Sequence, residues 1–266
     1  MITIKTARSL SKREYGIVAE LASLKLNLFT LEQVSKIFKV KKTQLWAILH
    51  RLEKKGWIER IEKGKYMAVP FTAKDGWLEN PYIIASKLVD NYYISYRTAL
   101  SYHGLTEQLP RHVYVATIMR KAMLEKKIQN YIFKFIRLSP RKFFGFKLEK
   151  IDLQEICLAE PEKAIVDCLD KEKYSGSIVE IIKALNSAKI NIHKLKRYAV
   201  KMENSSLVRR LGYLLDLLEK DSSGLEKHIG RYRPVYLSTS LPEKSLMKSR
   251  KWKLIINIKE EDLLRW

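Results

Sequence analysis

Between Lys41 and Lys54 the sequence KKTQLWAILHRLEK places hydrogen-bonding side chains where one face of a helix would present them. On a 3.6-residue repeat Thr43, Ala47, His50 and Lys54 share one side, with Gln44 and Arg51 on one flank and Trp46 on the other. Leu45, Ile48, Leu49 and Leu52 take the opposite side. Thr, Gln, His and Arg carry donors and acceptors that match base edges in a major groove, and a small Ala47 lets a backbone come close. Lys41 and Lys42 stand at the helix start, where the helix dipole and the ammonium groups both favour phosphate. The chemistry offered is recognition. The alternative is the same row on a module used for protein contact, and Trp46 reads as a core-edge or domain-contact residue rather than a base-stacking one.

Arrangements for catalysis are incomplete. Gly176-Ser177 would suit a nucleotidyl-transferring site, but that chemistry needs paired metal-binding aspartates, and no Asp-x-Asp occurs. Glu53-Lys54-Lys55 and Glu125-Lys126-Lys127 fit half of a restriction-type nuclease signature, yet no Pro-Asp precedes them, and in a chain this rich in lysine such triplets arise by chance. There is no P-loop, HExxH, Gly-x-Ser-x-Gly or CxxC, and the five histidines are scattered without metal-ligand spacing. The reading is of a protein that is not an enzyme and needs no cofactor or metal.

The recognition row must be held by its neighbours. Ser11 with Glu14, and Thr30 with Gln33, have capping-box spacing. Each opens an apolar helical period: Ile17, Val18, Leu21 and Leu24, then Val34, Ile37 and Phe38. The third helix carries the row and ends at Gly56, a natural C′ residue. WIERIE and KYMAV follow as strands about a tight turn at Lys63-Gly64, with Lys63 and Lys65 flanking the tip. Three helices and a β-hairpin make a winged helix-turn-helix, whose third helix enters a major groove while the wing lysines touch the adjacent backbone. The expected DNA-binding residues are Lys41, Lys42, Thr43, Gln44, Ala47, His50, Arg51, Lys63 and Lys65.

The whole chain has 266 residues and a formal charge of +22, from 51 basic and 29 acidic side chains, which calls for an anionic partner. Residues 1–75 hold sixteen basic against seven acidic side chains, leaving +9, and the remainder carries +13. A general lysine bias of the kind found in heat-adapted proteins is a second account of the latter. Cys157 and Cys168 lack pairing motifs and read as reduced, buried thiols. With no apolar run of about 18 residues and no leader pattern, the expectation is a cytoplasmic protein with no membrane partner.

After a connector near AVPFTAKDGWLENP, Ala68 to Pro81, come two helical pieces, the second capped by Ser95 and stopped at Gly104. VYVATI, YIFKFIRL and KLEKIDLQEICLA have β character. EPEKAIVDCLDKEK reads as a helix with Pro161 in its first turn, burying Ala164, Ile165, Cys168 and Leu169, with Lys163 and Asp167 as an exposed i,i+4 pair. Helices are expected at 177–187, 192–202 and 207–218, the last capped by Ser205 or Ser206, with Gly212 marking a close backbone approach. Two strands end the chain. The fold class is α+β: a winged helix-turn-helix over 1–72, then a larger mixed α/β domain over 80–266 with a helical C-terminal part.

The segments ISYRTALSYHGLTEQ, VYVAT, LAEPEKAIVDCLD and SSLVRRLGYLLDLL, in this order behind a winged helix, resemble the AbiEi-type antitoxins of abortive-infection, type IV toxin–antitoxin systems. The resemblance spans about residues 11–220 and leaves the last 45 residues unplaced. It implies a promoter-binding autorepressor that recognises inverted repeats in double-stranded DNA. It also implies an antitoxin domain that opposes a nucleotidyltransferase toxin, with or without a stable complex. By position it nominates His103, Glu160, Asp167, Arg209 and Arg210 as a candidate antitoxin surface, with Arg209 and Arg210 pointing to different sides, one to the core edge and one to an anionic partner. The rival readings are a ligand-responsive winged-helix regulator without a toxin, and a nucleic-acid-processing enzyme.

Overall fold

The structure, a computed structural model, describes residues 9–265 apart from 72, 74–76, 109, 110, 153 and 232. Part of the expected connector therefore lies outside the described residues. The chain divides into two compact units, 1–79 and 80–266.

The first unit runs α1 (Lys12–Ser23), β1 (Leu28–Thr30), α2 (Leu31–Phe38), α3 (Lys42–Lys54), β2 (Ile58–Glu62) and β3 (Lys65–Ala68). Both capping boxes form: Ser11 and Glu14 bond each other's backbone N–H at the head of α1, as do Thr30 and Gln33 at α2. β1 is an addition to the expected hairpin. It pairs antiparallel with β3, so the sheet order is β1-β3-β2. A three-residue strand has too little alternation to announce itself; its partner supplies the evidence. The core gathers Ile17, Val18 and Leu21 of α1, Val34 of α2, Leu45, Ile48, Leu49 and Leu52 of α3, and Phe29, Ile58 and Tyr66 of the sheet.

The second unit opens with α4 (Pro81–Leu88), β4 (Tyr92–Ile94), α5 (Tyr96–Tyr102), β5 (His112–Thr117), β6 (Glu125–Ile128), β7 (Tyr131–Arg137), β8 (Phe146–Ile151) and β9 (Gln154–Ala159). The helices α6 (Pro161–Asp170), α7 (Ile178–Asn186), α8 (Ile192–Lys201) and α9 (Ser205–Leu217) follow. One mixed sheet has the order β6-β7-β5-β4-β9-β8. β4 lies parallel to β9 and antiparallel to β5, and β5 is parallel to β7. The run KLEKIDLQEICLA, read as β, forms the hairpin of β8 and β9, turning at Asp152, whose φ is +46°. Glu125-Lys126-Lys127, half of a nuclease signature in the sequence, is the edge strand β6.

Several expectations change in this unit. Glu162 to Leu169 are all buried, so α6 is enclosed on every side, by α5, α7, α8 and α9, rather than along one stripe. Lys163 and Asp167 are therefore not an exposed pair: both are fully buried, with Nζ to Oδ1 at 2.5 Å. The ammonium also sits 4.5 Å over the Phe144 ring, while Tyr93 and Ser95 donate to Asp167 Oδ2 at 3.0 and 2.7 Å. Ser95 holds the N-cap position of α5, but its hydroxyl serves Asp167 instead of the helix. α9 is capped by Asn204, which accepts from the Ser206 and Leu207 N–H groups, one residue ahead of the expected serines.

The C-terminal tail adds β10 (Val235–Tyr236), β11 (Met247–Ser249), β12 (Leu254–Ile256) and α10 (Glu260–Leu264), with sheet order β10-β12-β11. Its place is against α9. Arg209 donates from Nε and Nη2 to the Ile229 carbonyl at 3.2 and 2.8 Å and from Nη1 to that of Arg233 at 2.7 Å. Arg210 donates to the carbonyls of Tyr236 and Leu169. A Cβ on Gly212 would fall 2.2 Å from a ring carbon of Trp252, so the glycine admits a side chain, not a passing backbone. Trp252 Nε1 then donates to Asp216 at 2.6 Å. The tail also caps the buried Glu172 carboxylate with the Ser238 hydroxyl and with the N–H and hydroxyl of Thr239. The tail thus closes over α9, and its α10 packs on α7.

Candidate nucleic-acid interface

The turn from α2 to α3 sets the angle of the row. Lys39 takes a left-handed conformation, φ +52°, and ends α2. The Ser35 hydroxyl donates to the Val40 carbonyl at 2.8 Å and pins the turn from inside. The Leu31 N–H reaches the Gly64 carbonyl at 2.9 Å, joining the start of α2 to the wing tip. Gly64 lies at φ +77°, where a Cβ would be strained, which explains glycine at a tight wing turn. In the wing, a bulge between Arg60 and Glu62 shifts the pairing, and Ile61 packs inward.

Burial sorts α3 as its period requires. Leu45, Ile48, Leu49 and Leu52 are buried; Lys41, Lys42, Thr43, Gln44, His50, Arg51 and Lys54 are exposed, and Ala47 is partly so. Lys63 is exposed at the wing, and Lys65 is half-buried with its ammonium 3.5 Å from Glu62. Trp46 is no core-edge residue: it is 51 % exposed and stacks on His50, with ring centroids 5.4 Å apart and planes 5° from parallel. A flat two-ring plate thus stands on the outer face, with His50 Nδ1 at 4.0 Å from Glu53.

Arg51 has a second commitment that its position did not reveal. Glu14, buried at the head of α1, receives Arg51 Nε at 3.2 Å, Lys55 Nζ at 2.7 Å and the Ser11 N–H at 2.8 Å. The Lys55 bond, then the Ser11 N–H, outweigh the cost of burial and hold the Glu14 carboxyl down at about 2. One carboxylate therefore caps α1 and staples it to α3. Beside it a cleft of about 700 Å³ runs between α1 and α3, floored by Ile17, Phe38, Val40 and Ile48 and edged by Gln44 and Arg51. Thr43, His50 and Trp46 do not line it. The nine expected contact residues thus divide into an open row of Lys41, Lys42, Thr43, His50 and Lys63, two cleft-side positions, Gln44 and Ala47, and two cations with carboxylate partners, Arg51 and Lys65.

Residues 17–69 match the family described as "Transcriptional regulator, AbiEi antitoxin". The match falls on the winged helix, with α3 and the wing inside it, and it bears out the AbiEi resemblance over this segment. The whole fold is similar to the crystal structure of the RV2827C protein from Mycobacterium tuberculosis, at 15 % identity and a TM-score of 0.70, covering 99 % of this chain and 97 % of that one. At that identity the likeness shows the fold. No curated protein matches the chain. The N-terminal unit is thus similar to a transcriptional-regulator domain, in a chain of α+β fold, and no helix among the described residues is long and apolar enough to cross a membrane.

The second unit redistributes the nominated antitoxin residues. Asp167, Arg209 and Arg210 are buried, the arginines spent on main-chain carbonyls and the aspartate on Lys163, so they build the core and offer no surface to a partner. Burial lifts the Asp167 carboxyl above its ordinary value even though Lys163, Ser95 and Tyr93 all bond it, and burial likewise lowers the Arg210 pKa. His103 and Glu160 remain partly exposed. His103 Nε2 meets the Ala159 carbonyl at 2.8 Å, and burial lowers its imidazole pKa. Burial would raise Glu160, but Lys194 at 2.7 Å and the Tyr198 hydroxyl at 2.5 Å outweigh it and hold it below its usual value. Among the described residues, no three of His, Cys, Asp and Glu converge as a metal site requires.

Proposed function

We propose that this protein is a DNA-binding antitoxin that represses its own operon through the winged helix and counteracts a nucleotidyltransferase toxin through residues 80–266. One observation carries the DNA-binding half: a row of exposed polar and cationic side chains on α3, backed by a fully buried apolar stripe and flanked by a basic wing tip. Lys41, Lys42 and Lys63 would position the duplex through phosphates, while Thr43, Gln44 and His50 would read base edges over the small Ala47. Arg51, whose Nε is held by Glu14, could still reach a base edge through its Nη groups, and Lys65 would share its charge between Glu62 and a phosphate. Two copies on the halves of an inverted repeat would satisfy such a promoter without a preformed dimer.

The antitoxin half rests on the match of the winged helix to an antitoxin family and on the order of motifs behind it. His103 and Glu160 are the nominated residues that stay accessible to a partner or substrate. The test is co-expression with the adjacent gene. Rescue of growth by the full chain, and by a His103→Ala/Glu160→Ala variant only in part, supports the assignment. A neighbouring gene that is harmless alone, or a toxic one the full chain does not relieve, refutes it.

A further inference from the structure

A cleft of about 650 Å³ opens on the helical part of the second unit, between the end of α8, the start of α9 and the 3₁₀ turn Leu225–His228. Lys201, Lys227 and His228 line it, with Asn204 and Ser205, and its one carboxylate is that of Glu203. That carboxylate is taken by Arg141, Nη1 to Oε2 at 2.8 Å. The three basic side chains are exposed, and among the described residues none of them has a carboxylate partner; Lys201 instead rests 4.2 Å over the Phe144 ring.

This departs from the habit of the unit. Nearby cations are paired: Lys142 with Asp170 at 2.6 Å, Lys194 with Glu160 at 2.7 Å, Lys196 with Asp221 at 2.5 Å and Lys251 with Asp216 at 2.7 Å. A lysine-rich surface bias would scatter unpaired charge over convex ground. Here it collects around a concavity of the size that small ligands occupy. Concentrated cationic charge with polar walls selects a multiply charged anion, and a space this size takes more than a bare phosphate. We infer that the cleft binds the phosphate groups of a nucleotide, either free or at the end of a nucleic-acid strand. The inference is independent of how the winged helix is used.

The experiment is fluorescence anisotropy on the full chain with two probes, a fluorescent ATP analogue and a labelled 5′-phosphorylated dodecanucleotide. Lys201→Ala/Lys227→Ala is compared with Lys150→Ala/Lys244→Ala, which removes equal charge from exposed positions elsewhere on the unit. Loss of two charge-assisted contacts should weaken the bound probe roughly tenfold or more, with the control double variant within about twofold. Loss seen with the ATP analogue assigns a free nucleotide; loss seen with the oligonucleotide alone assigns a strand end. Equal losses in both double variants, or no binding of either probe below about 1 mM, overturn the inference. All four lysines are exposed, so matched melting temperatures check that each variant is folded.

Discussion

Replacing Glu14 with Gln tests the idea that one buried carboxylate fixes the recognition helix. The amide keeps the shape and one oxygen, but the charge that holds Lys55 and Arg51 is gone, and its NH₂ faces one of the two cations. Hydrogen bonds to charged groups contribute about 1.5–3 kcal/mol each when buried. The Arg51 and Lys55 side chains keep 53 % and 33 % of their surface in water, so screening cuts both, and a total of about 1–3 kcal/mol is expected. Hydrogen exchange on the full chain reads this by segment: amides of α1 and α3 should exchange faster, by about five- to a hundredfold, while those of α9 stay unchanged. The pH dependence gives a second signature. The folded pKa of Glu14, about 2, lies below its ordinary 4.5, so its contribution is complete above pH 4.5 and fades as pH falls from there toward 2. The variant should lack that dependence. Protection of α1 and α3 that is the same in both proteins at neutral pH would refute the staple.

Two further outcomes are expected. Gln44→Ala and His50→Ala should relax preference for a promoter sequence by about 1–3 kcal/mol per lost base contact in competition binding, and an equal loss on all sequences would contradict base reading. Lys163→Met should destabilise the second unit by about 3–5 kcal/mol in denaturant unfolding, because it strands the Asp167 carboxylate in the core, whereas an exposed ion pair would cost a few tenths.

What could be read in the sequence was what is local. Capping boxes, a 3.6-residue period and a glycine-centred wing turn each span a few residues, so the three helices and the hairpin of the first unit could be read there, with the exposed row on α3, while β1 could not. The strands β1, β4 and β6 are three or four residues long and owe their existence to partners elsewhere in the chain, which no local period records. Charge misled for the same reason. Lys163 and Asp167, four apart, have identical spacing whether α6 lies on the surface or under four other helices, and Arg209-Arg210 gives no sign that a distant tail will supply carbonyls. At the interface, Arg51 was placed on the right helix flank, but Glu14 meets it from 37 residues away, and its role as a cap was the only part of its work visible nearby.

The salt dependence of binding to a duplex drawn from the region upstream of the gene tests the central claim most directly. If α3 and the wing engage six or more phosphates, affinity should fall roughly a thousandfold or more between 50 and 200 mM salt. Lys41→Ala/Lys42→Ala/Lys63→Ala should then lower the slope of log affinity against log salt by about 3, one unit for each lost phosphate contact. A triple variant whose slope equals that of the unaltered protein would show that this face does not touch DNA.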